Sequence, residues 1–214
     1  MELYDNLLYM EDIKYVTCLD LPWDKLQGKS LIISGATGLV GSFLVDVIMQ
    51  KNSAESLNCT VYALGRNEKK AKDRFNYCWE SKFFQFSSLD INIPLVREDI
   101  GTIDYILHLA SNTHPMLYST DPIGTITTNI IGLQNMLNFA ATHKVTRMAF
   151  ASSNEIYGEN RGDVELFNED YCGYINSNTM RAGYPESKRC GEALCQAYIW
   201  QRGLDIVIPR FTRS

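Results

Sequence analysis

Residues 30–51 read SLIISGATGLVGSFLVDVIMQK: a short β-branched run, glycines at 35, 38 and 41, then an amphipathic stretch. Each glycine answers a separate demand. Gly35 allows a tight turn after the strand, Gly38 lets the backbone approach a pyrophosphate, and Gly41 lets the helix pack close to the sheet. The strand–turn–helix context raises the string above a chance glycine repeat. It sets helix N–H groups and the positive end of a helix dipole where phosphates would lie. Gly35, Thr37, Gly38, Leu39, Val40 and Gly41 are therefore read as a dinucleotide cradle.

The alternation continues along the chain. Apolar runs at 30–34, 60–64, 83–86, 105–109, 147–151 and 205–208 alternate with helix-like stretches at 39–51, 68–79, 123–143 and 185–202. In the stretch 123–143, Ile126, Ile130, Leu133 and Leu137 recur at spacings of three and four, which predicts one apolar helical face. Strand–helix alternation predicts an α/β fold, a Rossmann-like doubly wound parallel sheet with helices on both faces and right-handed crossovers. Residues 1–28 read as an N-terminal arm with a short helix, and 29–214 as the NAD(P)-binding domain. The polar, irregular segment 159–183 reads as a long loop, of a length that is usually functional.

Charge and composition exclude several classes. Lys+Arg 20 against Asp+Glu 25 leaves a net charge of −5 with no basic cluster, which argues against a nucleic-acid partner. No run approaches the ~18 apolar residues of a membrane span, and the acidic start MELYDNLLYMEDIKY is unlike a signal peptide. A cytoplasmic protein without a membrane role is expected. The six cysteines form no C-x-x-C pair and, with three histidines, offer no metal-ligand spacing; reduced thiols and no metal are expected.

The second apolar run ends Tyr62-Ala63-Leu64-Gly65-Arg66-Asn67. An acidic residue there would bind the adenosine ribose and favour NAD; glycine stands in its place, and Arg66 can pair with a 2′-phosphate. The cofactor is NAD or NADP, with the local chemistry leaning to NADP.

Tyr184 and Lys188 form Y-x-x-x-K at the start of a helix, so both side chains share one face. An ammonium beside a phenol stabilises phenolate and draws the tyrosine toward general-base duty. Upstream, a strand ends in Ala151-Ser152-Ser153-Asn154-Glu155-Ile156-Tyr157-Gly158, where a serine can donate to the oxygen that the tyrosine deprotonates. Ligands of open α/β sheets sit at such carboxyl ends.

With these residues the sequence resembles the extended short-chain dehydrogenase/reductases of the NAD-dependent epimerase/dehydratase family, which modify nucleotide sugars. The matching residues are GATGLVG at 35–41, Asp90-Ile91, HLAS at 108–111, TTNIIG at 127–132, SSNEIYG at 152–158 and YPESK at 184–188. Within that family it is most similar to the UDP-glucuronate decarboxylase and dTDP-glucose 4,6-dehydratase types. The resemblance implies that Asp90 and Ile91 flank the adenine and that Leu109, Ala110 and Ser111 line the cofactor near its nicotinamide. It implies a catalytic set of Ser153, Glu155, Tyr184 and Lys188, with Tyr184 removing the sugar 4-hydroxyl proton while hydride passes to NAD(P)⁺. Lys188 would hold the nicotinamide ribose and lower the tyrosine pKa. The resulting 4-keto sugar labilises its C5 neighbour, so one framework serves epimerisation, dehydration and decarboxylation, that is, isomerase or lyase chemistry in polysaccharide biosynthesis. Dehydratases carry Asp-Glu where this chain has Asn154-Glu155, and Asn154 cannot protonate a leaving hydroxyl.

Further expectations follow from the same likeness. His114, Tyr118 and Arg213 are candidate contacts to a nucleotide-diphosphate sugar. His108 and Asn129 are expected to be structural, and Tyr198 and Trp200 to lie in the core or on a dimer surface. A homodimer through the helices near 123–143 and 184–202 is expected. Family members continue past the position of Ser214 into a lobe over the sugar, so a missing C-terminal substrate lobe, and a fragment inactive by itself, are expected. Two alternatives remain: a non-catalytic NAD(P)-binding sensor, against which the intact Ser153, Tyr184 and Lys188 argue, and a carbonyl reductase of a free small molecule.

Overall fold

The computed structural model describes residues 6–96, 101–112, 116 and 120–212, and they divide into two compact units. The first runs through Asp90 and takes in the strand that ends before Leu109; the second takes Ile91 and continues from Ala110.

The first unit holds β1 (Ser30–Ser34), β2 (Thr60–Gly65), β3 (Phe84–Ser88) and β4 (Tyr105–His108), paired in the order β3-β2-β1-β4. All three pairings are parallel, with Ile32 opposite both Tyr62 and Ile106. Strands buried on both faces must be apolar throughout, and Leu31, Ile32, Ile33, Val61, Ala63 and Leu64 are all buried. Helix α2 (Leu39–Glu55) lays Val45, Ile48 and Met49 on this sheet, and α3 (Glu68–Arg74) adds Ala71. Burying each large side chain contributes roughly 1.5–3 kcal/mol. The helix expected over 68–79 stops at Arg74, where Phe75 turns into the core and the chain continues as a 3₁₀ turn, Asn76–Cys78.

The arm carries α1 (Leu7–Thr17), capped by the Asn6 side chain, which accepts from Leu8 N at 3.0 Å. It docks on α2 through a buried polar knot. Asp46, fully buried on α2, accepts from the Tyr9 hydroxyl, from the Arg74 guanidinium and from the Tyr77 hydroxyl at 2.7 Å. At the other end of α1, the Lys51 ammonium donates to the Thr17 carbonyl at 3.2 Å and lies over the Trp23 ring.

In the second unit, one helical run consists of α4 (Pro122–Thr127), a π-helical turn (Thr128–Gly132) and α5 (Leu133–Thr142). The π turn changes the face expected from the sequence. Leu133 and Leu137 are fully buried, but Ile126 is exposed, and Thr125 and Asn129 point inward instead. A π turn holds one residue more than the α period, so the face before it is rotated relative to the face after it.

β5 (Arg147–Phe150) pairs in parallel with β7 (Ile206–Val207), and β6 (Ser152–Ser153) with β8 (Arg210–Phe211). The long helix α6 (Gly183–Arg202) crosses this unit. It approaches β5 so closely that a Cβ on Gly191 would lie 2.7 Å from the Phe150 ring. The loop from Glu159 is closed on itself by a bridge to Tyr174. Within it Phe167 stacks on Tyr171, and Tyr157, just before the loop, packs tilted against Phe167, the build of a compact Ω-loop. No helix among the described residues is long and apolar enough to cross a membrane.

Candidate active site

The glycine turn has the geometry that its sequence demands. Gly35 takes φ +71°, and Gly38, extended at φ −79° and ψ 173°, starts α2. A Cβ on Gly41 would stand 2.4 Å from the Gly35 carbonyl oxygen and 2.9 Å from Ala36 Cα; on Gly38 it would stand 3.2 Å from the same oxygen. Gly41 therefore permits the fold of the turn, whereas Gly38 leaves its outer side open. No side chain caps α2 and no acidic residue lies in its first turn, an arrangement in which first-turn N–H groups and the helix dipole can receive an anion. Leu39 is 85% exposed and Val40 is also exposed, apolar groups standing beside that site. Thr37 is half-buried, and its methyl lies 3.8 Å from where a Cβ on Gly65 would be.

At the end of β2, the same Cβ on Gly65 would meet the Phe86 ring at 3.3 Å. A side chain there would press on that ring, which would have to yield slightly. Arg66 is exposed, and its carbonyl accepts from Ser88 Oγ at 3.2 Å. His108 is buried, with Nδ1 against Ser34 Oγ at 2.8 Å. Asp90 is half-buried and so is Leu109, whose N–H donates to the Ser34 carbonyl at 3.2 Å.

The second unit carries Ser153, Tyr184 and Lys188, the residues expected to move a proton. Ser153, at the end of β6, accepts from Glu155 N at 3.2 Å and hydrogen-bonds the Tyr184 hydroxyl. Tyr184 is buried on the first turn of α6, and burial pushes its pKa up; the Ser153 hydrogen bond and the Arg181 charge act against that shift, while Glu155 adds to it. Lys188, one turn on, donates to the Ala151 carbonyl at 2.7 Å and lies over the rings of Phe150 and Tyr184. Burial pushes its pKa down to about 7.

Around these groups runs a chain of polar bonds. Asn129, buried in the π turn, accepts from Ser111 Oγ at 2.7 Å and donates to Ser187 Oγ at 2.9 Å, and Ser187 donates to the Tyr184 carbonyl at 2.8 Å. Ser111 thus spends its hydroxyl on Asn129. Ile91, expected beside the adenine, is buried against Gly132, where a Cβ would sit 2.6 Å from its Cδ1, and its carbonyl accepts from Asn135. Ala110 is half-buried. The Glu155 carboxylate pairs with Arg181 at 3.0 Å. Ser187 and Arg181 lie in stretches that carry the family resemblance, 184–188 and 181–184, but the sequence assigned neither a role of its own.

His114, Tyr118 and Arg213 lie outside the described residues. Tyr198 donates to Asn138 Oδ1 at 2.6 Å, and Trp200 is 89% exposed, which removes it from the core.

Comparison with known proteins gives concordant results. Residues 31–213 match the NAD dependent epimerase/dehydratase family. The chain is 35% identical over 182 residues to UDP-glucuronic acid decarboxylase 1 of Danio rerio, covering 85% of this chain and 40% of that protein. It is 33% identical over 180 residues to UDP-glucuronic acid decarboxylase 5 of Arabidopsis thaliana, covering 84% and 49%. The chain therefore spans less than half the length of these relatives. Among solved structures, the dTDP-glucose 4,6-dehydratase DesIV from Streptomyces venezuelae, with NAD bound, superposes with a TM-score of 0.71 at 23% identity, covering 85% of this chain and 55% of that one. The UDP-glucuronic acid 4-epimerase from Bacillus cereus, in complex with NAD, superposes at 0.62 and 24% identity, covering 86% and 56%. Both likenesses concern the fold, a Rossmann-like parallel sheet with helices.

Proposed function

The chain belongs to the NAD dependent epimerase/dehydratase family, and on that premise we propose that it oxidises a nucleotide-diphosphate sugar at C4 to a transient 4-keto sugar. The observation that carries this reading is the Ser153–Tyr184 hydrogen bond with the buried Lys188 amine beside it. When bound, a nicotinamide dinucleotide supplies the hydride acceptor. Gly35, Thr37, Gly38, Leu39, Val40 and Gly41 hold its diphosphate. Tyr184, as phenolate, accepts the 4-hydroxyl proton; Ser153 donates to the same oxygen and keeps it aligned. Lys188, poised near neutrality, takes up a proton and, once charged, favours the phenolate. Glu155 is placed to act at C5. Gly65 and Arg66 support NADP over NAD, since no acidic side chain stands at the end of β2 and the exposed Arg66 follows it. Decarboxylation is the favoured outcome, because relatives more than 30% identical carry that name. The reading includes a cytoplasmic homodimer formed through the outward faces of α4–α5 and α6.

The test is to supply the protein with NAD⁺ or NADP⁺ and UDP-glucuronate, UDP-glucose, dTDP-glucose or CDP-glucose, following products by NMR. Turnover of one sugar nucleotide, abolished by Tyr184→Phe with dinucleotide binding intact, is expected. Bound dinucleotide without turnover of any of them, in protein extended to its relatives' length, would overturn the reading in favour of a sensor or a small-molecule reductase.

A further inference from the structure

Glu192 has no part in the reading above, yet it stands where the strand end meets the long helix. Tyr184, Lys188 and Glu192 recur every four residues along α6, so their side chains follow one face. That side of the helix grips consecutive residues of the strand end. A Cβ on Gly191 would strike the Phe150 ring, the Lys188 ammonium donates to the Ala151 carbonyl at 2.7 Å, and the Ser152 hydroxyl donates to the Glu192 carboxylate. The next residue is Ser153.

The Glu192 carboxylate is itself held. Arg210 stands opposite Ser152 in the β6–β8 pairing and donates to both carboxylate oxygens, from Nε at 3.1 Å and from Nη2 at 2.8 Å. The two side chains are only 15% (Glu192) and 25% (Arg210) exposed. Arg210 also donates to the Glu169 carbonyl at 2.6 Å and lies over the Tyr157 ring, which fixes the guanidinium from its far side. β6 and β8 have two residues each, too few for backbone pairing alone to fix a register. Partly buried charges carry a desolvation cost that apolar side chains would not. What this pair provides is a rigid, charge-assisted acceptor for one serine hydroxyl.

We propose that Glu192 is a positioning residue: through Ser152 it holds the strand end that carries Ser153 in register with the turns of α6 that carry Tyr184 and Lys188. The proposal rests on the reading of those three residues as the proton-transfer set, and adds to it a residue that set does not contain.

Ser152→Ala is the sharpest test, because it deletes the link and leaves in place both the Glu192–Arg210 pair and the effect of the Glu192 charge on Lys188. One readout on the full chain needs no turnover. Tyrosine is labelled with carbon-13 at the ring carbon that bears the hydroxyl, and the Tyr184 signal is assigned by its loss in Tyr184→Phe. Ser152→Ala and Glu192→Gln should each move that signal in the direction given by Ser153→Ala. Once Ser153 is replaced by alanine, Ser152→Ala should move it no further. With NAD⁺ or NADP⁺ and UDP-glucuronate, kcat should fall about tenfold in Ser152→Ala and Glu192→Gln, with KM and dinucleotide affinity within about twofold. A Tyr184 signal unmoved by Ser152→Ala, or moved equally in the Ser153→Ala background, would overturn the role of Glu192, as would a raised KM at unchanged kcat. Wild-type protein that turns over no sugar nucleotide would overturn the substrate reading instead, and the tyrosine signal would still decide the role of Glu192. If Glu192→Gln fails to fold by circular dichroism, Ser152→Ala carries the test.

Discussion

The Lys188 ammonium donates to the Ala151 carbonyl oxygen at 2.7 Å, from a position where burial holds its pKa at about 7. In the unfolded chain a lysine titrates near 10.4. Between those two values the unfolded state binds more protons than the folded one, so stability rises with pH across that window. Below pH 7 the full penalty of a buried ammonium is present.

Replacing it tests this directly. Lys188→Met is expected to raise the unfolding free energy by ~2 kcal/mol at pH 6, the relieved desolvation being offset in part by the lost bond to Ala151. The advantage should shrink toward pH 10. Urea denaturation across pH measures it, and a difference independent of pH would contradict the assigned shift.

Asp46 receives the Tyr9, Arg74 and Tyr77 side chains while fully buried. Removing one partner of such a pair leaves an uncompensated charge, so Asp46→Ala should cost about 3 kcal/mol. Tyr9→Phe deletes one hydrogen bond and should cost about 1 kcal/mol. Hydrogen exchange should show the amides of α1 losing protection first in both variants. Unchanged exchange in α1 would mean that the arm is held by its apolar contacts alone.

Gly38 and Gly41 should separate function from fold. Gly41→Ala forces a Cβ to within 2.4 Å of the Gly35 carbonyl oxygen, so the turn itself must shift and the melting temperature should fall by several degrees. At Gly38 the nearest atom is 3.2 Å away. Gly38→Ala should fold nearly normally yet lose about tenfold in dinucleotide affinity, because the methyl occupies the approach to the phosphates. Fluorescence titration with reduced dinucleotide distinguishes the two.

Arg66→Ala should weaken NADP by about tenfold and leave NAD within a factor of about two, since a 2′-phosphate loses a charge-assisted partner that a ribose hydroxyl never had. Equal effects on both cofactors, in the same titration, would show that the arginine is a solvated surface group.

The sheet was legible because its strands are buried on both faces and therefore read as unbroken apolar runs; β1 and β4 fall within a residue of their expected limits. The glycine turn was legible because Gly35 takes a positive φ and Gly41 sits where the backbone comes too close for a side chain. Less visible was the region where polar groups turn inward. The apolar spacing of Ile126 and Ile130 with Leu133 fits an α-helix, and nothing in that spacing reports an extra residue in the turn. The sign was instead Asn129, a polar residue in line with the buried face. Nor does sequence distance reveal Arg181 beside Glu155, because the intervening loop returns the chain through the Glu159–Tyr174 bridge.

The π turn at Thr128–Gly132 holds one residue that a regular helix would not need. Its surplus makes the helix editable. Deleting a single residue there would heal the hydrogen-bond ladder, yet swing everything on its amino-terminal side by roughly 100°, the angle between successive α-helical residues. Thr125 would leave the interior, and the link from Ser111 through Asn129 to Ser187 would break. A more regular helix would thus be a poorer component, and this stretch should tolerate substitution far better than any change in its length.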